Sequence, residues 1–204
     1  YRQALALPLP AAERDDGERH EIFARLGVAL HRQGHLEEAI DAYGQALVLR
    51  PQLEEVQSHR AAAMEQLRLR LLTEAQRHSG AGNNKAAITL LKEALELCPD
   101  HPDLLTDLAK LLLREGDLHE AFPILQRAAE LRPDDPELWC LIGMIQQDQG
   151  RGDQGKEALL RALHLRLKDP HTLLQLALRL HQLGLGSASL EAFEQRARLA
   201  PDDG

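Results

Sequence analysis

Apolar residues recur along the chain at helical spacing. Phe23, Leu26, Gly27 and Leu30 share one face of a helix. After Gly34 a second run, Leu36, Ala39, Ile40, Tyr43, Ala46 and Leu47, follows the i, i+3, i+4, i+7 rule of an amphipathic helix. No stretch alternates as a half-buried strand would. A glycine between two such runs can take positive φ and end the first helix, and a proline after the second stops it. The unit is therefore helix, turn, helix. Small residues at Gly27 and Ala46 let its two helices approach closely, and Phe23 and Tyr43 fill the gaps around that contact.

The unit repeats. Gly34, Gly82, Gly116, Gly150 and Gly184 are separated by 48, 34, 34 and 34 residues. Pro51, Pro99, Pro133, Leu167 and Pro201 keep the same intervals, as do the small residues Gly27, Ala75, Ala109, Gly143 and Ala177. Three markers in one register identify a repeat architecture.

The unit resembles the tetratricopeptide repeat, a 34-residue helix pair with a Trp, Leu, Gly, Tyr, Ala, Phe, Ala, Pro signature. Phe23, Leu26, Gly27, Leu30, Ala39, Tyr43, Ala46 and Pro51 carry it in the first full unit. Leu71, Ala75, Ala87, Leu91, Ala94 and Pro99 carry it in the second, with Glu74 a departure. The third has Leu105, Leu108, Ala109, Leu112, Ala121, Leu125, Ala128 and Pro133. The fourth has Trp139, Ile142, Gly143, Leu159 and Ala162, with Gly155 and Leu167 as departures. The fifth has Leu173, Leu176, Ala177, Leu180, Phe193 and Pro201, with Ser189 and Arg196 as departures. The resemblance implies an all-α fold, a right-handed α-solenoid of antiparallel helix pairs with a concave groove lined by the first helix of each pair. The expected organisation is one continuous solenoid. Residues 1–19 supply the second helix of a truncated repeat, from Tyr1 and Ala4 to Pro8 and Pro10, and then a charged linker or helix start. Repeats follow at 20–53, 54–101, 102–135, 136–169 and 170–204. Beginning and ending inside the repeat pattern, the chain reads as an excerpt.

The 48-residue interval holds fourteen surplus residues. Glu54 to Arg77 contains neither Gly nor Pro and is rich in good helix formers. Val56, Ala63, Leu67 and Leu71 continue one stripe, with Arg60 its weak point. The spacing predicts one helix from about Glu54 to about His78, roughly 37 Å long. It is expected to project beyond the solenoid, or to cover residues 11–19.

Composition narrows the functional classes. The 204 residues are 44% hydrophobic and 27% charged, values of an ordinary folded chain. A net charge of -8 argues against nucleic acid or an anionic membrane as the partner. No apolar run is long enough for membrane insertion. Two cysteines, Cys98 and Cys140, make no disulfide framework and favour a reduced, cytoplasmic setting. Cys140 is expected as a small apolar groove residue. Gly150 to Glu157 approaches a phosphate-loop pattern but lacks the hydroxyl after Lys156 and the preceding strand. Arg151-Gly152-Asp153 matters only in an exposed extracellular loop. His31 and His35 stand four apart, but Gly34 between them ends the helix, so no metal site is expected. No cofactor fingerprint and no catalytic signature occurs. Five of six aromatics (Tyr1, Phe23, Tyr43, Trp139 and Phe193) hold signature positions and are expected in the core.

Carrying the family's concave positions over gives a groove of Val28, His31, Leu69, Leu72, Lys110, Leu113, Arg114, Met144, Gln147, Leu174, Leu178 and His181. Glu137 and Asp148 stand at further positions of the same face. Large apolar side chains there suit an amphipathic groove for a peptide or helix. The alternative is that superhelical curvature buries some of them against neighbouring first helices. The family's carboxylate clamp is absent, since its places hold Ala24 and Val28, or Leu72 and Gln76, and Asp107 and Leu141. The asparagine ladder of the family's sugar transferases is also missing. The expected function is a non-catalytic scaffold or adaptor for a protein or peptide ligand. A targeting arm of a larger glycosyl-, methyl- or sulfotransferase, and a spacer self-associating through exposed solenoid ends, are the alternatives.

Overall fold

The computed structural model describes residues 16–199. Among the described residues there are ten helices, α1 (Asp16–Arg32), α2 (Leu36–Leu49), α3 (Glu54–Gly80), α4 (Asn84–Leu97), α5 (Pro102–Glu115), α6 (Leu118–Leu131), α7 (Pro136–Asp148), α8 (Gly152–His164), α9 (Pro170–Gln182) and α10 (Gly186–Leu199), and no strand. The fold is an all-α helical repeat. The helices α1 and α2, α5 and α6, α7 and α8, and α9 and α10 pack as pairs. Tyr1, Ala4, Pro8 and Pro10 lie outside the described residues. The chain divides into two compact units, one up to Glu74 and one from Ala75.

The turns explain the glycine ladder. Gly34, Gly82, Gly116, Gly150 and Gly184 all take φ between 72° and 82°, a region that costs glycine nothing. The residue after each glycine donates its N–H back into the first helix. His35 reaches the Leu30 oxygen at 3.0 Å, and Asp117 reaches that of Leu112 at 2.9 Å, which satisfies carbonyls the helix end would orphan. First helices begin on a cap followed by proline at α5, α7 and α9. Asp135 accepts from Glu137 N–H at 3.0 Å, and Asp169 accepts from Thr172 N–H at 2.7 Å.

In the first unit, Gly27 faces the ring of the buried Tyr43. A Cβ there would lie 2.6 Å from Tyr43 Cδ1, so the pairing of α1 with α2 needs the glycine. The helix α3 is continuous across the fourteen surplus residues, about 40 Å long. Val56, Ala63, Leu67 and Leu71 are its buried stripe. Nε of Arg60, the predicted weak point, is buried without a partner. The extra turns lie against α1 and α2 instead of projecting, and the alternative, cover of residues 11–19, falls mostly outside the described residues. The His59 ring lies 5.9 Å from that of Tyr43, Gln66 meets His31 at 3.1 Å, and Arg70 pairs with Glu37. A stripe that continues in phase for four turns gives the extra length an apolar face to bury.

The second unit has two core clusters. One joins Leu105, Ala109, Leu125 and Ala128 to Leu138, Ile142 and Ile145. The other joins Cys140, Leu159 and Leu163 to Leu173, Leu176 and Leu180. Leu167, standing in the proline ladder, is itself buried in the second cluster. The residue before it, Arg166, turns the chain at φ 61°.

Candidate functional site

The first helices α5, α7 and α9 of the second unit line a cleft of about 440 Å³. Four of the predicted groove residues meet there: Lys110, Leu113, Arg114 and Met144. Leu118, Leu141 and Ile145 complete its apolar floor, and Gln175 and Arg179 come from α9. The walls are tied by ion pairs between successive repeats. Lys110 Nζ stands 2.7 Å from Glu137 Oε1, and Arg179 Nη1 stands 2.9 Å from Asp148 Oδ1. Arg114 makes only a 3.4 Å contact with the Ser79 hydroxyl. Asp107, one turn before Lys110, is half-buried. Burial raises its pKa above the usual aspartate value, Lys110 opposes the rise, and Asp103 and Glu137 add to it.

The remaining predicted residues lie elsewhere. Val28, His31, Leu69 and Leu72 belong to the first unit, where Val28 and Leu72 are half-buried and Leu69 is 47% exposed. His31 is engaged, bonded to Gln66 and edge-on to Tyr43 with ring centroids 6.3 Å apart. Gln147 does not line the cleft. Its amide donates to the Gly152 carbonyl at 2.8 Å, bracing the turn between α7 and α8. Leu174 is half-buried, His181 is exposed and Leu178 is 48% exposed, but the α9 residues in the cleft are Gln175 and Arg179.

Three sequence expectations need correction. Cys140 is no groove residue. It is fully buried among Leu163, Leu173 and Leu176, because the next first helix covers it. Burial pushes its thiol up to about 12, so it stays protonated. Trp139 is not core. It is only partly buried, its indole N–H donates to the Pro133 oxygen at 2.8 Å, and the Arg161 guanidinium lies 3.9 Å above its ring. Phe193 is 37% exposed, since α10 has no following described helix against it. Tyr43, at 1% exposure, is core as the signature requires.

A second cleft in this unit, of about 510 Å³, is lined by α6, α7 and α8 around Trp139 and Arg161. Sequence reasoning missed it. Its signal is Gln146, which stands where the first, third and fifth repeats carry Leu30, Leu112 and Leu180 and the second carries His78. Among the described residues no three His, Cys, Asp or Glu side chains gather as metal ligands. No described helix is long and apolar enough to cross a membrane. Arg151-Gly152-Asp153 begins α8, with the Arg151 guanidinium 5.8 Å from the centre of the Phe122 ring.

A family model described as the Cilia and flagella-associated protein 70 C-terminal domain matches residues 8–204. No curated protein matches the chain. Among solved structures, MamA residues 41 to the end from Desulfovibrio magneticus RS-1 aligns at 18% identity and TM-score 0.54, covering 93% of this chain and 100% of that one. A crystal structure of MamA aligns at 19% identity and TM-score 0.52, covering 91% and 93%. The Pseudomonas aeruginosa protein PilF aligns at 18% identity and TM-score 0.51, covering 91% and 78%. These likenesses bear on the fold.

Proposed function

Because the chain belongs to the family of the Cilia and flagella-associated protein 70 C-terminal domain, a tetratricopeptide-repeat family, we propose that it is a non-catalytic interaction module whose cleft between α5, α7 and α9 holds a peptide or helix of a partner protein. One observation carries the reading: Leu113, Leu141 and Met144 stand together in an open cleft whose walls are already fixed. A solvated face has no use for such a cluster, whereas a ligand would cover it. The two core clusters join α5 to α7 and α7 to α9 before any ligand arrives, with the Lys110–Glu137 and Arg179–Asp148 pairs at their rim. Little ordering cost then falls on the module. Arg114, with only a serine contact, is the cation left to choose an acidic neighbour on the ligand. The scaffold role and the remaining groove residues, Leu174, Leu178 and His181, belong to the same proposal. They extend the contact along α9 past the cleft itself.

The matched family's name ties that protein to cilia and flagella, so an extract of cilia is the source in which to seek the partner. Capture by the wild-type chain, followed by purification of the captured protein, defines the ligand. Met144→Glu and Leu178→Glu are each expected to weaken its capture with an unchanged helical circular dichroism spectrum. Leu178 is exposed enough to accept the charge without unfolding. Capture undiminished in both variants would remove the cleft as the site.

A further inference from the structure

We propose that the cleft around Trp139, on the second-helix face formed by α6 and α8, takes an arginine or lysine side chain carried by a partner segment. At the cleft stands an acceptor that has no donor. Gln146 Oε1 is shut off from solvent and accepts no hydrogen bond, an uncommon condition for a buried polar atom and one that asks for an explanation. The repeat supplies its own control. In the neighbouring repeats the same position is Leu112 or Leu180, both buried, and an apolar side chain there needs no partner. Gln146 is itself only partly buried. Gln146 lines the cleft and its terminal torsion is soft, so the donor of an occupant can draw the amide oxygen to itself.

The cleft's other charges are asymmetric. Glu130 and Glu157 line it, with Arg161 as its only cation among the described lining residues. Glu130 is paired with Arg127 at 2.9 Å. The Arg161 guanidinium is committed to the Trp139 ring and donates to the Pro133 oxygen at 3.2 Å. Glu157 has no ion-pair partner among the described residues. What the cleft lacks is therefore a donor bearing positive charge. A guanidinium or ammonium group offers several donors, enough to meet the Gln146 oxygen and the Glu157 carboxylate together. Trp139 and Ile142 supply an apolar wall for its methylene stem. This occupant is distinct from the ligand of the first-helix cleft, whose uncommitted charge is a cation.

The chain has a single tryptophan, so the indole N–H cross-peak in a proton–nitrogen correlation spectrum reads this cleft alone. The probe is the blocked tripeptide acetyl-Gly-Arg-Gly-amide, with its citrulline analogue as the uncharged isostere. A saturable shift of the indole cross-peak is expected with the arginine peptide and none with the citrulline peptide. Gln146→Leu and Glu157→Gln should each weaken the response about tenfold, as loss of a hydrogen bond to a charged group does. Leu178→Glu, on the exposed face of α9 outside both clefts, should leave it unchanged. Glu157 is exposed, so its variant tests the proposal with the fold intact even if Gln146→Leu disturbs packing. An unmoved cross-peak, an equal response to citrulline, or full binding by Glu157→Gln would overturn it.

Discussion

The fourth and fifth repeats share a register, offset by 34 residues, and fill it differently. In α7 and α8 the helices touch through Gly143 and Gly155. In α9 and α10 the same places hold Ala177 and Ser189, and the Ser189 hydroxyl donates to the Ala177 oxygen at 2.9 Å. On the outer face the fourth repeat shows Trp139, Gln146 and Arg161, where the fifth has Leu173, Leu180 and Gln195. Leu173 and Leu180 are fully buried, whereas Trp139 and Gln146 line an open cleft. Turns and caps set the common backbone frame. The side chains hung on it decide whether a face closes as core or stays open as a site.

The largest expected effect breaks the glycine contact. A Cβ on Gly143 would lie 2.7 Å from Leu159 Cγ and 2.9 Å from the Gly155 carbonyl oxygen. A side chain can turn away, but backbone cannot. Gly143→Leu should therefore cost about 3 kcal/mol or more, seen as a lowered melting temperature. An unmoved melt would mean that α7 and α8 do not approach as described.

The second effect concerns caps. Asp169 accepts from both the N–H and the hydroxyl of Thr172, at 2.7 and 2.6 Å, while Asp135 has one backbone donor at 3.0 Å. Asp169→Ala should cost about 1 kcal/mol and Asp135→Ala less, by chemical denaturation. The Thr172 hydroxyl, then its N–H, hold the Asp169 carboxyl below its ordinary pKa. The stabilisation is thus present above the unfolded value and lost as pH falls through the depressed native one. Wild type and Asp169→Ala should converge in acid.

The third effect makes the fourth repeat resemble the fifth. Gln146→Leu removes an unpaired buried oxygen and is expected to stabilise the fold by about 1 kcal/mol. A loss of that size would show that Gln146 has a partner in solution. The smallest effect is electrostatic. Burial raises the pKa of Asp107, so the folded chain holds that proton more tightly than the unfolded chain. The destabilisation is full at neutral pH and is relieved as pH falls through the raised value. Asp107→Asn should be slightly more stable than wild type at neutral pH, and the gain should shrink in acid.

The frame of the fold was legible because its signals are local. A glycine in a tight turn and an unbroken run of helix formers each act within a few residues. The ladder of glycines and the single helix α3 could therefore be read directly. The candidate sites depend on what packs from 30 residues away. Cys140 and Met144 stand four apart on one helix, yet α9 covers the first and leaves the second at the cleft's edge. Nothing within α7 distinguishes them. Arg179 was missed because its role comes from Asp148, 31 residues earlier. Trp139 occupies a signature position, and the polar Gln146 beside it was the clue that this position stays open.

In the function proposed above, the protein meets its partner at the cleft between α5, α7 and α9. Titration calorimetry of the purified, captured partner against the wild-type chain and Arg114→Glu tests it most directly. Arg114 is exposed and its one hydrogen bond among the described residues is to Ser79, so its replacement should leave the melting temperature unchanged. At least about tenfold weaker binding is expected for Arg114→Glu. Equal affinity for both proteins would contradict it.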